Sequence, residues 1–519
     1  MATDVQAGWV TTRPAVRAIG GMVAAQHTGA AEVGAEILRG GGNAVDAAIA
    51  TSLALAVLEP GMSGLGGGGF MVISRTDGRS EVLDFGMIAP AGLDPAAYPL
   101  SGSRDNDLFG WPGVIGDRNV MGPLSIAVPG QAAGLALAHE RHASLPWRDL
   151  CAPAIALADQ GLPIGWHACL QIAVAAADLA RFEAAARHFL PGGVPPAPDN
   201  AGDLRHLPTA ALAQTLRRLA DAGPRDLVSG ELAHVLVEDV REAGGMLTLE
   251  DLAGHRAQAS DPLVRASGAV RVQTPGGLTA GPTLDHALAL IAGKIAPGEP
   301  RAAAYLAWAD ALFAAYERRL ASLGHGAETE RRAGCTSHLC VVDAKGTMVS
   351  LTQTLLSAFG SKILSPRTGI LLNNGIMWFD PRPGGANAIA PGKRPLSNMC
   401  PVVVTRNGAP WLTIGASGGR RIMPAVLQIA SMLIDCRLDL ERAFHIPRID
   451  VSGGPVVAAD RRLAPDIVAA LDTRFAVREV EAMVWPKLFA CPSAIVRDRT
   501  TGTVGMVDPM QPVAGVAAA

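Results

Sequence analysis

The sequence predicts an α+β protein in two unequal parts, and three observations carry that prediction. The chain has 519 residues, too many for one ordinary core, so two lobes or one large layered domain are expected. Residues from about 130 to 330 are rich in Ala and Leu, with Pro and Gly at intervals, and read as mainly helical. From Thr336 onward the texture changes to β-branched residues and turns.

In chain order, Thr28 to Arg39 reads as a helix. Thr28 is placed to cap its start, Ala30, Val33 and Ile37 share a face, and Gly40-Gly41-Gly42 end it. Asn43 then caps a second helix, whose Val45, Ala48, Ile49, Leu53, Ala56 and Val57 follow helical spacing until Glu59-Pro60. A Gly-rich loop, residues 61–69, leads into a strand at Phe70-Met71-Val72-Ile73. Thr336–Val342 and Thr347–Thr354 flank Asp343-Ala344-Lys345-Gly346, which is a hairpin signal. Further short strands are expected at Ile370–Leu372, Val402–Val404, Trp411–Ile414 and Val504–Val507, with a helix over Ile422–Ile434.

Composition excludes several functions. The chain is 49% hydrophobic and 18% charged, the balance of a compact globular protein. A formal charge of -3 and only 4% aromatic residues give no basic footprint or stacking platform for nucleic acid. The seven cysteines form no CxxC and are odd in number, so they read as buried apolar residues in a reducing compartment. No paired His with a nearby carboxylate suggests a metal, and no cofactor is expected. Met1 to Ile19 lacks a signal-peptide apolar stretch, and the run Ala44 to Leu58 is too short to span a bilayer. A cytoplasmic protein with no membrane partner is expected.

Leu65-Gly66-Gly67-Gly68-Gly69 invites a phosphate-cradle reading, but it leads into a strand, whereas nucleotide-binding glycines follow a strand and open a helix. Cys335-Thr336-Ser337-His338 is more informative. With the turn at 343–346, Thr354 falls within about one residue of the position across from Thr336, close enough to orient its hydroxyl. Gly415-Ala416-Ser417-Gly418-Gly419 lies between a strand and a helix, where free backbone N–H groups can converge as an oxyanion hole requires. His338 lies on the same strand face as Thr336 but ~6–7 Å further along, and reads as structural.

Together these blocks resemble the γ-glutamyltransferase family. The N-terminal blocks are Gly41-Gly42-Asn43-Ala44-Val45-Asp46-Ala47-Ala48, Leu65-Gly66-Gly67-Gly68-Gly69-Phe70, Val128-Pro129-Gly130, Leu145-Pro146-Trp147 and Gly244-Gly245-Met246-Leu247-Thr248. The C-terminal blocks are Thr336-Ser337-His338, Leu371-Leu372-Asn373-Asn374, Lys393-Arg394-Pro395-Leu396-Ser397 and Gly418-Gly419. The resemblance implies a four-layer αββα N-terminal-nucleophile hydrolase sandwich. It implies self-cleavage between Cys335 and Thr336 into a large subunit, 1–335, and a small subunit, 336–519. The new Thr336 amine, with an unperturbed pKa of ~8, would then activate its own hydroxyl. Thr354 would position that hydroxyl and Gly418 and Gly419 would hold the oxyanion. A small amide is the implied substrate, water or an amine the acceptor, and a homodimer of the processed unit one allowed assembly.

The substrate pocket departs from the family's pattern. Gly86 stands where the family places an Arg, and Leu356 where it places an Asn. After Asn374, Gly375 and Trp378 replace a polar residue and an Asp, and Ser397 is followed by Asn398 rather than a second Ser. Lys362, Arg382 and Arg394 remain as cations for a carboxylate. The stretch from Phe379 to Lys393 is short, which implies a more open pocket. Three readings follow: a self-processed enzyme cleaving a γ-glutamyl-type amide such as glutathione; the same catalyst on an oxamate-like or other small carboxylated acyl amide; and an unprocessed binding relative, which the retained Thr336, Thr354, Ser397 and Gly418-Gly419 argue against.

Overall fold

The computed structural model describes residues 11–104, 109–198, 204–323, 335–498 and 502–519. The first ten residues of the N-terminal stretch read above lie outside them. Two seven-stranded antiparallel sheets face each other between helices, so the expected four layers are present. The first sheet runs Gly515–Ala518, Met22–Ala25, Cys335–Val342, Met348–Leu356, Gly68–Ser74, Ser80–Phe85, Gln258–Ser260. The second runs Val16–Ala18, Gly502–Val507, Cys491–Asp498, Ala409–Ser417, Val402–Arg406, Val270–Thr274, Leu263–Ser267.

Strand alternation builds the layers. On the first sheet Met22, Ala24, Val72, Cys340 and Val342 point inward and meet Val403, Ile495 and Val507 of the second. Their neighbours Val23, Ala25, Met71, Ile73, Leu339 and Val341 point outward under the helices Thr28–Arg39 and Ala44–Leu58. On the second sheet Val402, Val404, Leu412 and Ile414 turn outward against Ala302–Leu323 and Ile422–Ile434. Period-two alternation thus assigns each strand residue to one of two apolar layers.

The helix Ala44–Leu58 is buried at all fifteen positions. Asn43 and Asp46 close a reciprocal cap at its start, and the Asp46 carboxylate also accepts from the Ser144 and Leu145 amides. No described helix is long and apolar enough to cross a membrane. All seven cysteines are free thiols, and six of them are buried.

Two expectations need correction. His27, not Thr28, caps the first helix: its Nδ1 accepts from the Gly29 amide at 3.1 Å, while the Thr28 hydroxyl donates to Val513. Ile370–Leu372 is not a strand; it makes only isolated bridges, Leu364 to Leu371 and Gly66 to Leu372. The stretch 130–330 is helical but also supplies Leu263–Ser267 and Val270–Thr274 to the edge of the second sheet. Leu263–Ser267 is largely exposed and each strand carries an arginine among its apolar residues, so their apolar signal is weak.

The glycine run has a packing reason. A Cβ on Gly66 would sit 2.2 Å from the Leu371 carbonyl oxygen, one on Gly67 2.3 Å from that of Thr354, and one on Gly69 2.5 Å from that of Thr352. The obstructing atoms are backbone, which cannot swing aside. Gly67→Ala is therefore expected to destabilise the protein by more than ~3 kcal/mol, whereas Gly92→Ala, where a Cβ meets nothing within 4 Å, stays within about 0.5 kcal/mol. Urea unfolding of the two variants compares them.

Candidate active site

The centre of the molecule is the hairpin of Cys335–Val342 and Met348–Leu356, both strands fully buried. Its register shifts at the head, where Cys335 pairs with Leu356 and Ser337 with Gln353. That bulge leaves Thr336 against Thr354. The Thr336 hydroxyl lies 3.2 Å from the Thr354 hydroxyl and 2.8 Å from the Cys335 carbonyl oxygen. Thr354 donates to the same carbonyl at 2.5 Å and accepts from the Leu356 amide at 2.8 Å. Two hydroxyls thus converge on the carbonyl that precedes Thr336. Leu356 is held at φ +88°, a left-handed conformation that costs a branched residue roughly 1–3 kcal/mol.

The strand Ala409–Ser417 ends at Gly418 and Gly419, with φ of +137° and +62°. Their N–H groups make no hydrogen bond to any described residue. Both glycines line a cavity of about 1030 Å³ together with Cys335, Ser357, Lys362 and Met377.

His338 is fully buried between the sheets. Its Nδ1 bonds the Thr352 hydroxyl at 2.9 Å, its Nε2 faces Cys340 Sγ, and Gly415 makes room for the ring. Burial pulls its pKa down to about 3, so it stays neutral, in keeping with a structural part.

Asn374, Trp378, Leu356, Gly86, Ser397 and Asn398 are buried and do not line the cavity. Asn374 spends its side-chain amide on Val120 O and the Ser357 hydroxyl and accepts from the Ser357 amide. Trp378 and Leu356 share an apolar cluster with Phe70, Met87 and Met377. Gly86 donates to Asp84 and accepts from His255 Nε2 at 2.9 Å. Ser397 O and Asn398 Oδ1 both accept from the guanidinium of Arg319, whose other bonds go to Thr279 O and the Thr283 hydroxyl. Of the three cations, Arg394 pairs with Asp84 at 2.8 Å and Arg382 with Asp380 at 2.6 Å. Lys362 is the one that faces the cavity, donating to Gly360 O at 2.8 Å and the Ser357 hydroxyl at 3.3 Å.

Two residues escaped the sequence reading. Arg319 comes from the helix Ala302–Leu323, where nothing marks it among other arginines. Glu59 read only as a helix stop. It receives the end of a buried chain in which Gln353 donates to Ser63, Ser63 to Ser337, and Ser337 to Glu59 at 3.4 Å. Its carboxyl is pushed up to about 7 by burial, against the opposing pull of the Lys487 ammonium and the Ser337 hydroxyl.

A family profile described as Gamma-glutamyltranspeptidase matches residues 30–330 and 322–518. The chain is 33% identical to an acylase ACY 1 proenzyme of Pseudomonas sp. (strain V22), covering 88% of this chain and 86% of the relative. It is 30% identical to the glutathione hydrolase proenzyme of Escherichia coli (strain K12), with the same coverage, 88% and 86%. In three dimensions it is similar to a cephalosporin acylase from Bacillus halodurans, with a TM-score of 0.86 and 27% identity over 100% of this chain and 99% of that one.

Because folding favours the protonated form of Glu59, its contribution is fully present below the unfolded value near 4.5 and is lost as pH rises through about 7. Glu59→Gln removes that loss. It is expected to raise stability relative to the parent protein by ~1–3 kcal/mol at pH 8 and to change it little at pH 4. Melting temperatures across that range check it.

Proposed function

We propose, from the premise that this chain belongs to the gamma-glutamyltranspeptidase family, that Thr336 is the nucleophile of a self-cleaving amidohydrolase whose acyl group is not α-amino-glutamyl. The observation that carries the nucleophile is the convergence of Thr336 and Thr354 on the Cys335 carbonyl.

In the intact chain, the Thr336 hydroxyl oxygen attacks the Cys335 carbonyl carbon. The Thr354 hydroxyl, which donates to that carbonyl oxygen, polarises it. The hydroxyl proton passes to the Thr336 nitrogen, the C–N bond breaks and an ester remains. Water then opens the ester, leaving a Cys335 carboxylate and a Thr336 with both amine and hydroxyl free. For substrate, the amine takes the hydroxyl proton as the oxygen attacks the amide carbon, then gives it to the leaving nitrogen. The amides of Gly418 and Gly419 receive the oxyanion, and loss of such a donor costs ~3 kcal/mol. Water or an amine removes the acyl group.

Acyl selection rests on charge. The Asp expected to hold the α-ammonium is replaced by Trp378, with Gly375 and Leu356 in place of its polar neighbours, so an α-ammonium there would be poorly solvated. Lys362 supports a carboxylated acyl group without that ammonium. The similarity to a glutathione hydrolase favours a second reading, a γ-glutamyl amide.

Intact mass of the denatured protein is expected to show chains beginning at Met1 and Thr336, and Thr336→Ala a single chain; one uncut chain in both overturns the nucleophile. Glutaryl-p-nitroanilide is expected to be cleaved with at least ~10-fold higher kcat/KM than γ-glutamyl-p-nitroanilide, about 1.4 kcal/mol. The reverse order overturns the acyl reading and leaves Thr336 in place.

A further inference from the structure

The cavity beside Gly418 and Gly419 is lined by two groups of residues. One holds Ser357, Lys362 and Met377, with Phe109, Val120 and Met121 beside them. The other is formed by the segment 483–489 and the small sheet of Ile449–Asp450, Val456–Asp460 and Ala476–Val480. On that second side Met483, Trp485, Leu488 and Phe489 are half-buried and turn apolar surface to the cavity. Their sequence neighbours Glu479, Glu481 and Lys487 line it too, so an apolar floor is rimmed by charge. Apolar surface left against water costs ~25 cal/mol per Å², and a patch of this kind beside reactive groups marks a ligand-binding wall.

The wall is tied to the oxyanion turn. Arg421, two residues after Gly419, donates from Nη1 to the Lys487 carbonyl at 2.8 Å, and Ala490, just past the wall, lies against Gly418. A group resting on Trp485 and Phe489 therefore shares the cavity with the glycine turn and Lys362. With the acyl group on the Lys362 side, the group on this side is the amine of the scissile amide. The volume of about 1030 Å³ is at the upper end of pockets that enclose drug-sized ligands and far exceeds the needs of ammonia or a small alkylamine.

We propose that Met483, Trp485, Leu488 and Phe489 form an amine subsite that selects amides of bulky, apolar, preferably aromatic amines. The orientation of the substrate rests on the acyl reading above; the subsite itself does not. Free amines are products of the reaction, so their binding tests the subsite without turnover. Calorimetric titration of the purified protein with 2-naphthylamine and with ethylamine is expected to give a dissociation constant at least ~10-fold lower for the aromatic amine. Trp485→Ala is expected to lose most of that preference and Trp485→Leu, which keeps an apolar side chain, to retain part of it. Competition reports location: 2-naphthylamine is expected to be displaced competitively by glutaryl-2-naphthylamide in Thr336→Ala. Equal affinities for the two amines, a preference untouched by Trp485→Ala, or binding that the amide does not displace would overturn the subsite. Self-cleavage measured by mass on the same samples reports separately on Thr336.

Discussion

A strand headed by glycines lies against the hairpin that carries Thr336, and the geometry of the site follows from that approach. Gly66, Gly67 and Gly69 let the backbone of Gly68–Ser74 and its lead-in press onto the carbonyls of Leu371, Thr354 and Thr352. With Thr354 pinned from that side, the register shift between Cys335 and Ser337 is taken up at the head of the opposite strand. The bulge in turn sets the Cys335 carbonyl under two hydroxyls. Packing, register and reactivity are one constraint expressed at three scales.

Much of this was legible in the sequence. The hairpin was visible because β-branched runs flank a turn of clear chemistry, and counting from that turn placed Thr354 by Thr336 to within a residue. The helix Ile422–Ile434 has the bounds its periodicity indicated. The glycine run was visibly not a phosphate cradle, although its reason, contact with a hairpin more than 250 residues away, was not readable locally. The four-layer architecture came from family resemblance; periodicity alone could not have paired the strands.

What was missed depends on long-range company. His27 caps a helix because Thr28 is drawn off to Val513 at the other end of the chain. Glu59 has a raised pKa because the fold buries it completely, which outweighs the downward pull of Lys487 and Ser337. Arg319 matters because burial leaves its guanidinium bonded to four neutral oxygens, two of them in the segment Ser397–Asn398. Asn374 and Ser397 carry the right letters for substrate contact, yet their hydrogen-bonding groups hold the chain itself together. A residue type states what a side chain can do; its neighbours decide whether any of that capacity is left over.

The order of strands in the first sheet has a further consequence. Cys335–Val342 is flanked by Met22–Ala25, and Met348–Leu356 by Gly68–Ser74, while Gly515–Ala518 closes the edge beyond Met22–Ala25. The second sheet is likewise mixed, with Val16–Ala18 on Gly502–Val507 and Val270–Thr274 on Val402–Arg406. Residues before and after position 335 are therefore shuffled like two halves of a deck. Neither half holds a complete sheet. A chain cut between Cys335 and Thr336 would still be joined by the strand pairs that link its two parts in both sheets.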